Sequence, residues 1–556
     1  MPGTIADYLT TRLAQIGVKH IFAVPGDYVF GFLECVESSG QVARVGVSNE
    51  LVAGYAADAY ARTTGIGAVA VTYGVGAFSL LNAVAGSYVE LLPVIVICGS
   101  PSNAQREIAR TRGVLYHHTT TDLNADELVY KNVTTHATVI SDAARAPAEI
   151  DRALTAALCD RRPVYIEITS DLWTSACAAP AAPLTMPAKP NDQAALGEAV
   201  ADAWTRITSA KSPLILGGVL IDRLGLQREF QDLVAASGFP FTCALTEKSI
   251  VSESTPRFVG VFDGAGDEHV QGIVQDADCL LAPGTLITDH YLELVQHDYD
   301  KMIHAHLDGI RIGYHFYPGV GLPQFLEALV AKFKGDSRYP WQLLPIVQPP
   351  LSSPTGGPDT PVTYESFFQR IAPFLDDSMI VLADLSISLH VAPRLRIARS
   401  SGFVAQAGWE AIGYALGAAV GVGFASPARP IVIVGDGGFQ MTCQAISTLV
   451  RCKQRAIVFV MNNGIYGLEQ ANIDPTFFTA NGPLTPFNRL DEWDYEMLGR
   501  AMGAWATTVS TQGDLDAALT AAGAQTGTSL VQVRLAEKDL PPQMVRITAG
   551  VTAVDT

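Results

Sequence analysis

Three doubly wound α/β domains with mainly parallel sheets are predicted by three observations. The chain has 556 residues, three to four times a typical domain of about 150. Short β-rich runs alternate with longer helix-like segments throughout, the pattern of parallel strands joined by helical crossovers. Two stretches that suit neither helix nor strand, the Ala/Pro-rich 174–195 and the Pro-rich 335–362, leave blocks expected at 1–173, 196–335 and 362–540.

In chain order, MPGTIADYLTTRLAQIG has the spacing of an amphipathic helix rather than a charged start followed by an apolar signal core. Ile21–Val24, Val69–Thr72 and Val94–Cys98 read as buried strands of the first block, and Pro213–Leu216 and Cys279–Ala282 as those of the second. Met379–Leu382, Ile431–Val434 and Ile457–Met461 read as strands of the third. The similar size of the blocks is compatible with an old duplication.

Acidic residues outnumber basic ones 55 to 37, a net charge of −18 that opposes binding to nucleic-acid phosphates. With 48% hydrophobic and only 17% charged residues, the chain should bury much surface, and an oligomer is expected. No apolar stretch approaches the roughly 20 residues that cross a bilayer, so no membrane partner is expected. Eight dispersed cysteines without a C-x-x-C pair read as small buried hydrophobes in a reducing, cytoplasmic setting.

The most informative segment runs from Ile431 to Glu469. A buried strand ends at Val434 and is followed by Gly435, Asp436, Gly437 and Gly438, with a helix expected from about Phe439. Glycines here let a ligand approach the backbone, and a helix start offers N–H groups to an anion. A second strand ends in Asn462 and Asn463. Both clusters fall at carboxyl ends of parallel strands, where open α/β sheets bind ligands. A carboxylate and an amide oxygen are hard donors suited to Mg²⁺ carrying a diphosphate. Either motif alone is a common turn or strand end.

Together, with 24 residues between GDG and NN, they resemble the signature of thiamine-diphosphate enzymes. The segments VPGDYVFGFL, NELVAGYAADAYAR, VTYGVGAFSLLNAVAGSYVELLPVIVICGSP, YHHTTTD, FVGVFDGAG and WEAIGYALGAAVG resemble, in order, those of pyruvate and indolepyruvate decarboxylases. The resemblance covers nearly the whole chain. It implies thiamine-diphosphate-binding folds in the first and last domains and a Rossmann-like middle domain with a structural role. It also implies nonoxidative decarboxylation of a small 2-oxo acid through a cofactor carbanion/enamine, with thiamine diphosphate and Mg²⁺ bound. The alternative is a carboligase that joins the same enamine to a carbonyl acceptor.

Residue by residue, the resemblance implies that Glu50 activates the aminopyrimidine, and that Asp27, His117, His118 and Glu469 manage the proton transfers. Histidine titrates near neutrality, and neighbouring carboxylates can shift each other's pKa. Alone, Asp27 would be a turn residue, the histidine pair a loop feature and Glu469 a surface charge. Ile412 would hold the cofactor's rings in a V, Glu410 would offer its backbone carbonyl, and Thr72 and Gly74 would border the pyrimidine. Asp436, Asn463 and the Ile465 carbonyl would hold the metal, and Gly437 and Gly438 the diphosphate. The resemblance places Glu50 and the metal anchor of one site on different subunits, hence a homodimer at least, paired into a homotetramer.

One segment departs from the decarboxylase pattern. Asp384-Leu385-Ser386-Ile387-Ser388 carries Leu385 and Ile387 where the family has polar groups beside substrate and diphosphate. Leu389 falls where pyruvate-specific enzymes carry a large aromatic residue, so a 2-oxo acid larger than pyruvate, aromatic or branched, is expected. The ending EKDLPPQMVRITAG is expected to start a short helix at its prolines.

Overall fold

The computed structural model describes residues 3–187, 191–296, 299–338 and 354–549. The first helix, Ile5–Gln15, starts where the sequence places it. Thr4 and Asp7 form a reciprocal capping box that satisfies two of its free N–H groups. Strand β1 (Gly3–Thr4) precedes it and pairs antiparallel with β8 (Ala176–Cys177).

Between these lie β2 (His20–Ala23), β3 (Ala43–Gly46), β4 (Gly67–Thr72), β5 (Val94–Ser100), β6 (His136–Ile140) and β7 (Val164–Thr169). They form one parallel sheet in the order β3-β2-β4-β5-β7-β6. β4, β5 and β7 are buried along their whole length, which explains their unbroken apolar runs. Ile95, Ile97, Ile166 and Ile168 pack from the sheet onto Leu9 and Leu13 of the first helix.

The middle sheet contains β9 (Pro213–Gly217), β10 (Phe241–Ala244), β11 (Phe258–Phe262), β12 (Cys279–Pro283), β13 (Met302–Ala305), β14 (Gly309–Ile312) and β15 (His315–Pro318). Its order is β11-β10-β9-β12-β13-β14-β15. β13 still pairs parallel with β12, but β14 runs antiparallel to both β13 and β15, a departure from the mainly parallel expectation. Links of three and two residues, 306–308 and 313–314, are too short for a parallel crossover and make hairpins.

The last sheet contains β16 (Met379–Ala383), β17 (Phe403–Val404), β18 (Arg429–Gly435), β19 (Ile457–Asn462), β20 (Trp505–Val509) and β21 (Ser529–Arg534). It is parallel, in the order β17-β16-β18-β19-β21-β20. Counted in chain order within each sheet, the first and last sheets have the same strand order, 2-1-3-4-6-5. In both, the order reverses between the first and third strands, and the crevice at that switch point is where such sheets bind ligands.

By packing, the chain forms two compact units: Met1–Pro187 with Trp409–Pro427 and Thr442–Gln454, and Ala188–Gly408 with Ala428–Met441 and Arg455–Thr556. In the first unit, helix Tyr414–Ala425 lies against helix Glu50–Thr64. The approach is so close that a Cβ on Gly421 would come within 2.0 Å of the Ala56 carbonyl oxygen. In the second unit, buried Lys248 bonds Glu253 at 2.7 Å and the Leu395 carbonyl at 2.6 Å, tying the middle sheet's loops to the segment after β16. His390 Nδ1 lies 3.1 Å from Asp263 Oδ2 across the same junction.

Three local expectations change. The helix after β18 begins at Asp436, not Phe439, and ends at Thr442, because the Asp436 carboxylate accepts the Gly437 N–H; a separate helix follows at Ala445–Arg451. Five cysteines are buried, but Cys35 and Cys159 on helices, and Cys452 just after helix Ala445–Arg451, are only half-buried. Of the two linker stretches, 339–353 and 188–190 lie outside the described residues, and 174–195 includes β8 and the start of helix Gln193–Ser209. The terminal helix Pro542–Ile547 starts at its prolines and packs on helix Ile387–Val391.

Candidate active site

The predicted residues fall in two groups, one in each unit. In the first unit, Asp27 follows β2 and the Thr72–Gly74 turn follows β4, so they flank that sheet's switch point. His117 and His118 come from the loop after helix Asn103–Arg112. His117 Nε2 lies 2.6 Å from Asp27 Oδ2, and a ligating atom from each of Asp27, His117 and His118 falls within 4.8 Å of the others. Tyr28 stacks flat on His117, with ring centroids 5.0 Å apart, and so sets the ring plane. Asp27 and His117 are exposed and His118 is half-buried, as a group that meets an incoming substrate must be.

The turn and the loop meet at the backbone. Gly74 has φ +65°, and a Cβ there would lie 1.9 Å from the His118 carbonyl oxygen, so only glycine fits. His118 itself sits at φ +65°, a left-handed conformation that costs a non-glycine residue about 1–3 kcal/mol. Thr72 is buried, and its hydroxyl has no partner among the described residues.

Glu50 is the first residue of helix Glu50–Thr64, whose N-cap Asn49 accepts the Val52 N–H at 2.8 Å. Its carboxylate makes no hydrogen bond or ion pair with any described residue, and Oε1 lies 3.5 Å from where a Gly76 Cβ would be. Glu410 and Ile412 belong to the same unit as Glu50. Glu410 is at φ +61°, and Ile412 is half-buried instead of joining the core, leaving an apolar side chain for a ligand to cover. A buried ionic network fixes this segment. Trp409 donates its N–H to Glu90 at 3.2 Å, and Tyr414 donates its hydroxyl to Asp58 at 2.7 Å. Arg62 bridges the two acids, 2.7 Å from Asp58 and 2.6 Å from Glu90.

In the second unit, Asp436 follows β18 and Asn463 follows β19. Asp436 is 3% exposed; Oδ1 accepts from Gly437 N–H at 2.9 Å and Oδ2 from Gly464 N–H at 2.7 Å. Burial pushes its carboxyl up to about 6. Asn463 is buried, its Oδ1 accepts weakly from Ile465 N–H at 3.4 Å, and its Nδ2 has no partner among the described residues. A buried carboxylate with no cationic side chain beside it among the described residues, and an orphaned amide near it, fit a metal diphosphate, since the cation would relieve the first and a phosphate oxygen the second. The Ile465 carbonyl accepts from Gly467 N–H at 2.9 Å and keeps a second lone pair for a metal. Gly437 and Gly438 lie in the first turn of helix Asp436–Thr442. Glu469 is exposed in the first turn of helix Gly467–Ile473.

The divergent segment flanks this unit's switch point. Asp384 is fully buried and Ser386 caps helix Ile387–Val391. Ile387 is 1% exposed, and its Cδ1 and Asn463 Nδ2 each come within 2.8 Å of where a Gly467 Cβ would lie. An apolar group therefore stands against the metal anchor. Leu389 is buried on the same helix.

The sequence reading missed the polar residues behind Gly74. Asp126, fully buried, accepts the Gly74 N–H at 2.8 Å. Arg106 pairs with Glu167 at 3.2 Å and donates to the Leu123 carbonyl at 2.9 Å. One signal was available: Glu167 is an acid inside an otherwise apolar buried strand, which requires a buried partner.

Comparison with known proteins agrees with this geometry. Residues 3–127 match the N-terminal TPP binding domain of thiamine pyrophosphate enzymes, 200–332 their central domain and 386–533 their C-terminal TPP binding domain. Pyruvate decarboxylase 1 of Pisum sativum is 32% identical over 544 residues, covering 94% of this chain and 88% of the relative. Pyruvate decarboxylase 1 of Zea mays is 32% identical over 537 residues, covering 93% and 85%. The pyruvate decarboxylase of Hanseniaspora uvarum is 31% identical over 574 residues, covering 99% of each. With its three matched domains and its Glu50 and Asp436–Asn463 elements in place, the chain belongs to the thiamine pyrophosphate enzyme family as a thiamine-diphosphate-dependent 2-oxo acid decarboxylase.

Proposed function

We propose that the enzyme releases CO₂ and an aldehyde from 2-oxo acids larger than pyruvate, with aromatic or branched side chains. The observation that carries the reading is Leu389 in place of a large aromatic residue, on the helix that abuts the metal anchor. Each buried methylene is worth about 0.8 kcal/mol, or roughly fourfold in preference, so the selectivity is graded. A panel of 2-oxo acids, assayed with thiamine diphosphate and Mg²⁺, should give higher kcat/KM for branched and aromatic substrates. Pyruvate leading the panel by tenfold would overturn the reading.

Thiamine diphosphate, when bound, supplies a nucleophilic carbon that adds to the substrate carbonyl and takes up the electron pair left by CO₂. Asp436, Asn463 and the Ile465 carbonyl would hold Mg²⁺, with Gly437 and Gly438 at the diphosphate. Glu50, whose carboxylate has no partner among the described residues, is available to bond the aminopyrimidine, with Thr72, Gly74, the Glu410 carbonyl and Ile412 around it. His117 and His118, with Asp27 holding the first, deliver a proton to the substrate carbon that CO₂ has left, and Glu469 completes the set.

A second reading is carboligation, favoured by the apolar Leu385 and Ile387 where the family carries polar groups. CO₂ release that required an aldehyde acceptor and yielded no free aldehyde would replace the first reading with this one. The proposed assembly is a homodimer paired into a homotetramer. It is supported by Phe30, Val75 and Phe78, apolar side chains left exposed in the first unit. Sedimentation of a fully active monomer would refute it.

A further inference from the structure

We propose that Asp126 is a positioning residue for the histidine pair, an inference that rests on the assignment of His117 and His118 to proton delivery. The histidine loop is exposed along most of its length, yet His118 sits at φ +65°, uncommon for any residue that carries a Cβ. Such a conformation persists only where its surroundings impose it. Two contacts do so. On one side, the His118 carbonyl rests on Gly74, whose N–H is held from behind by the Asp126 carboxylate at 2.8 Å. On the other, the loop's far end is held by Arg106, which donates to the Leu123 carbonyl at 2.9 Å. Arg106 is in turn fixed by Glu167, which also accepts the Tyr165 hydroxyl at 3.1 Å.

The network therefore reaches the reaction only through backbone. Asp126 is fully buried behind the turn, on helix Ala125–Tyr130, just after the histidine loop. One oxygen of its carboxylate, Oδ2, accepts from Gly74, and the Gly74 main chain is the surface against which His118 is set. Without an acceptor at 126, the Gly74 N–H is left buried and unpaired, the turn relaxes, and the histidines lose their register with the substrate carbon.

The consequence is chemical as well as energetic. After CO₂ departs, a proton and a carbonyl acceptor compete for the same carbon, giving free aldehyde or a ligated hydroxyketone. Misplaced histidines weaken only the first branch. The ratio of the two products is also independent of how much enzyme is folded or loaded with cofactor, since both branches scale alike.

The test measures that ratio by chromatography, using the cofactor-replete enzyme, a 2-oxo acid substrate and added aldehyde. Asp126→Ala should raise the ligated share at least fivefold and lower kcat for aldehyde release at least tenfold. Asp126→Asn, whose amide oxygen can still accept from Gly74 N–H, should keep the ratio within twofold of the wild type. If Asp126→Ala does not accumulate as folded enzyme, Asp126→Ser, whose hydroxyl is too short to reach Gly74, is read in the same way. A wild-type ratio in Asp126→Ala or Asp126→Ser, while His118→Gln shifts it, overturns the inference and leaves the histidine assignment standing. A wild-type ratio in His118→Gln overturns that assignment and this inference with it. An Asp126→Asn ratio shifted as far as that of Asp126→Ala also overturns it, because the carboxylate's charge rather than the held turn would then be responsible.

Discussion

The first and last sheets share one strand order, yet the turns after their third strands have opposite characters. β4 ends at Thr72 and runs into Tyr73-Gly74, a turn with no charge of its own, held by the buried carboxylate of Asp126 and set against the half-buried His118. After β18 the carboxylate is in the turn itself, as Asp436, buried and bonded to two backbone N–H groups. One scaffold has thus been used twice, once to seat a histidine loop near the surface and once to hold a carboxylate inside. The difference follows from where the acid sits. A carboxylate in the turn points its charge at the ligand, whereas one behind the turn spends it on the backbone and leaves the ligand side to other groups.

If that contrast is right, damage to the two regions should separate chemistry from anchoring. The largest effect is expected for Glu50→Gln, which should lower kcat by about 10²–10⁴-fold, the usual span of a general acid–base contribution. Thiamine diphosphate affinity, measured by calorimetry, should change far less. Asp436→Ala should do the reverse, weakening Mg²⁺-dependent cofactor retention by about 100-fold, as expected when a charged contact of about 3 kcal/mol is lost. If both variants failed in the same parameter, the division of labour between the sheets would fall.

Two smaller effects concern the buried acids of the first unit. Glu90→Ala leaves Arg62 short of one partner in a site where both side chains are nearly inaccessible, which should cost about 3–5 kcal/mol and lower the thermal midpoint by roughly 10 °C. Smallest is a pH effect. Burial pushes Glu167 up to about 7 and Asp126 up to about 6, above their ordinary values of 4.5 and 3.8. The folded chain therefore keeps these protons where the unfolded chain has released them, and stability falls as pH rises from about 4 to about 7, then levels. Glu167→Gln should flatten part of that fall in thermal-melt series, while an unchanged slope would place the titrating group elsewhere.

Much of this was legible in the residues. The parallel strands could be read because burial on both faces leaves continuous apolar runs, as in β5 and β18. Asp436 and Asn463 could be singled out because two motifs that are each common alone stand together at the ends of successive strands, β18 and β19. The hairpin strands of the middle sheet were not read, because four-residue alternating segments carry little signal. The early helix start at Asp436 was also missed, since it depends on a side chain capping its own turn.

What the sequence determined by itself is the chemistry available: a glutamate at position 50, a pair of histidines, a carboxylate and an amide suited to a metal, and an apolar substitution at Ile387. Tertiary structure alone decided how those groups are held. Asp126 lies 52 residues from Gly74, and Tyr414 lies 356 residues from Asp58. The positive φ of His118 is met by Gly74, a residue 44 positions away in the chain. Spacing along a chain reports what neighbours on one element can do. It does not report which distant acid will be left buried until the sheet has closed around it, and it is there that low dielectric makes one hydrogen bond decisive.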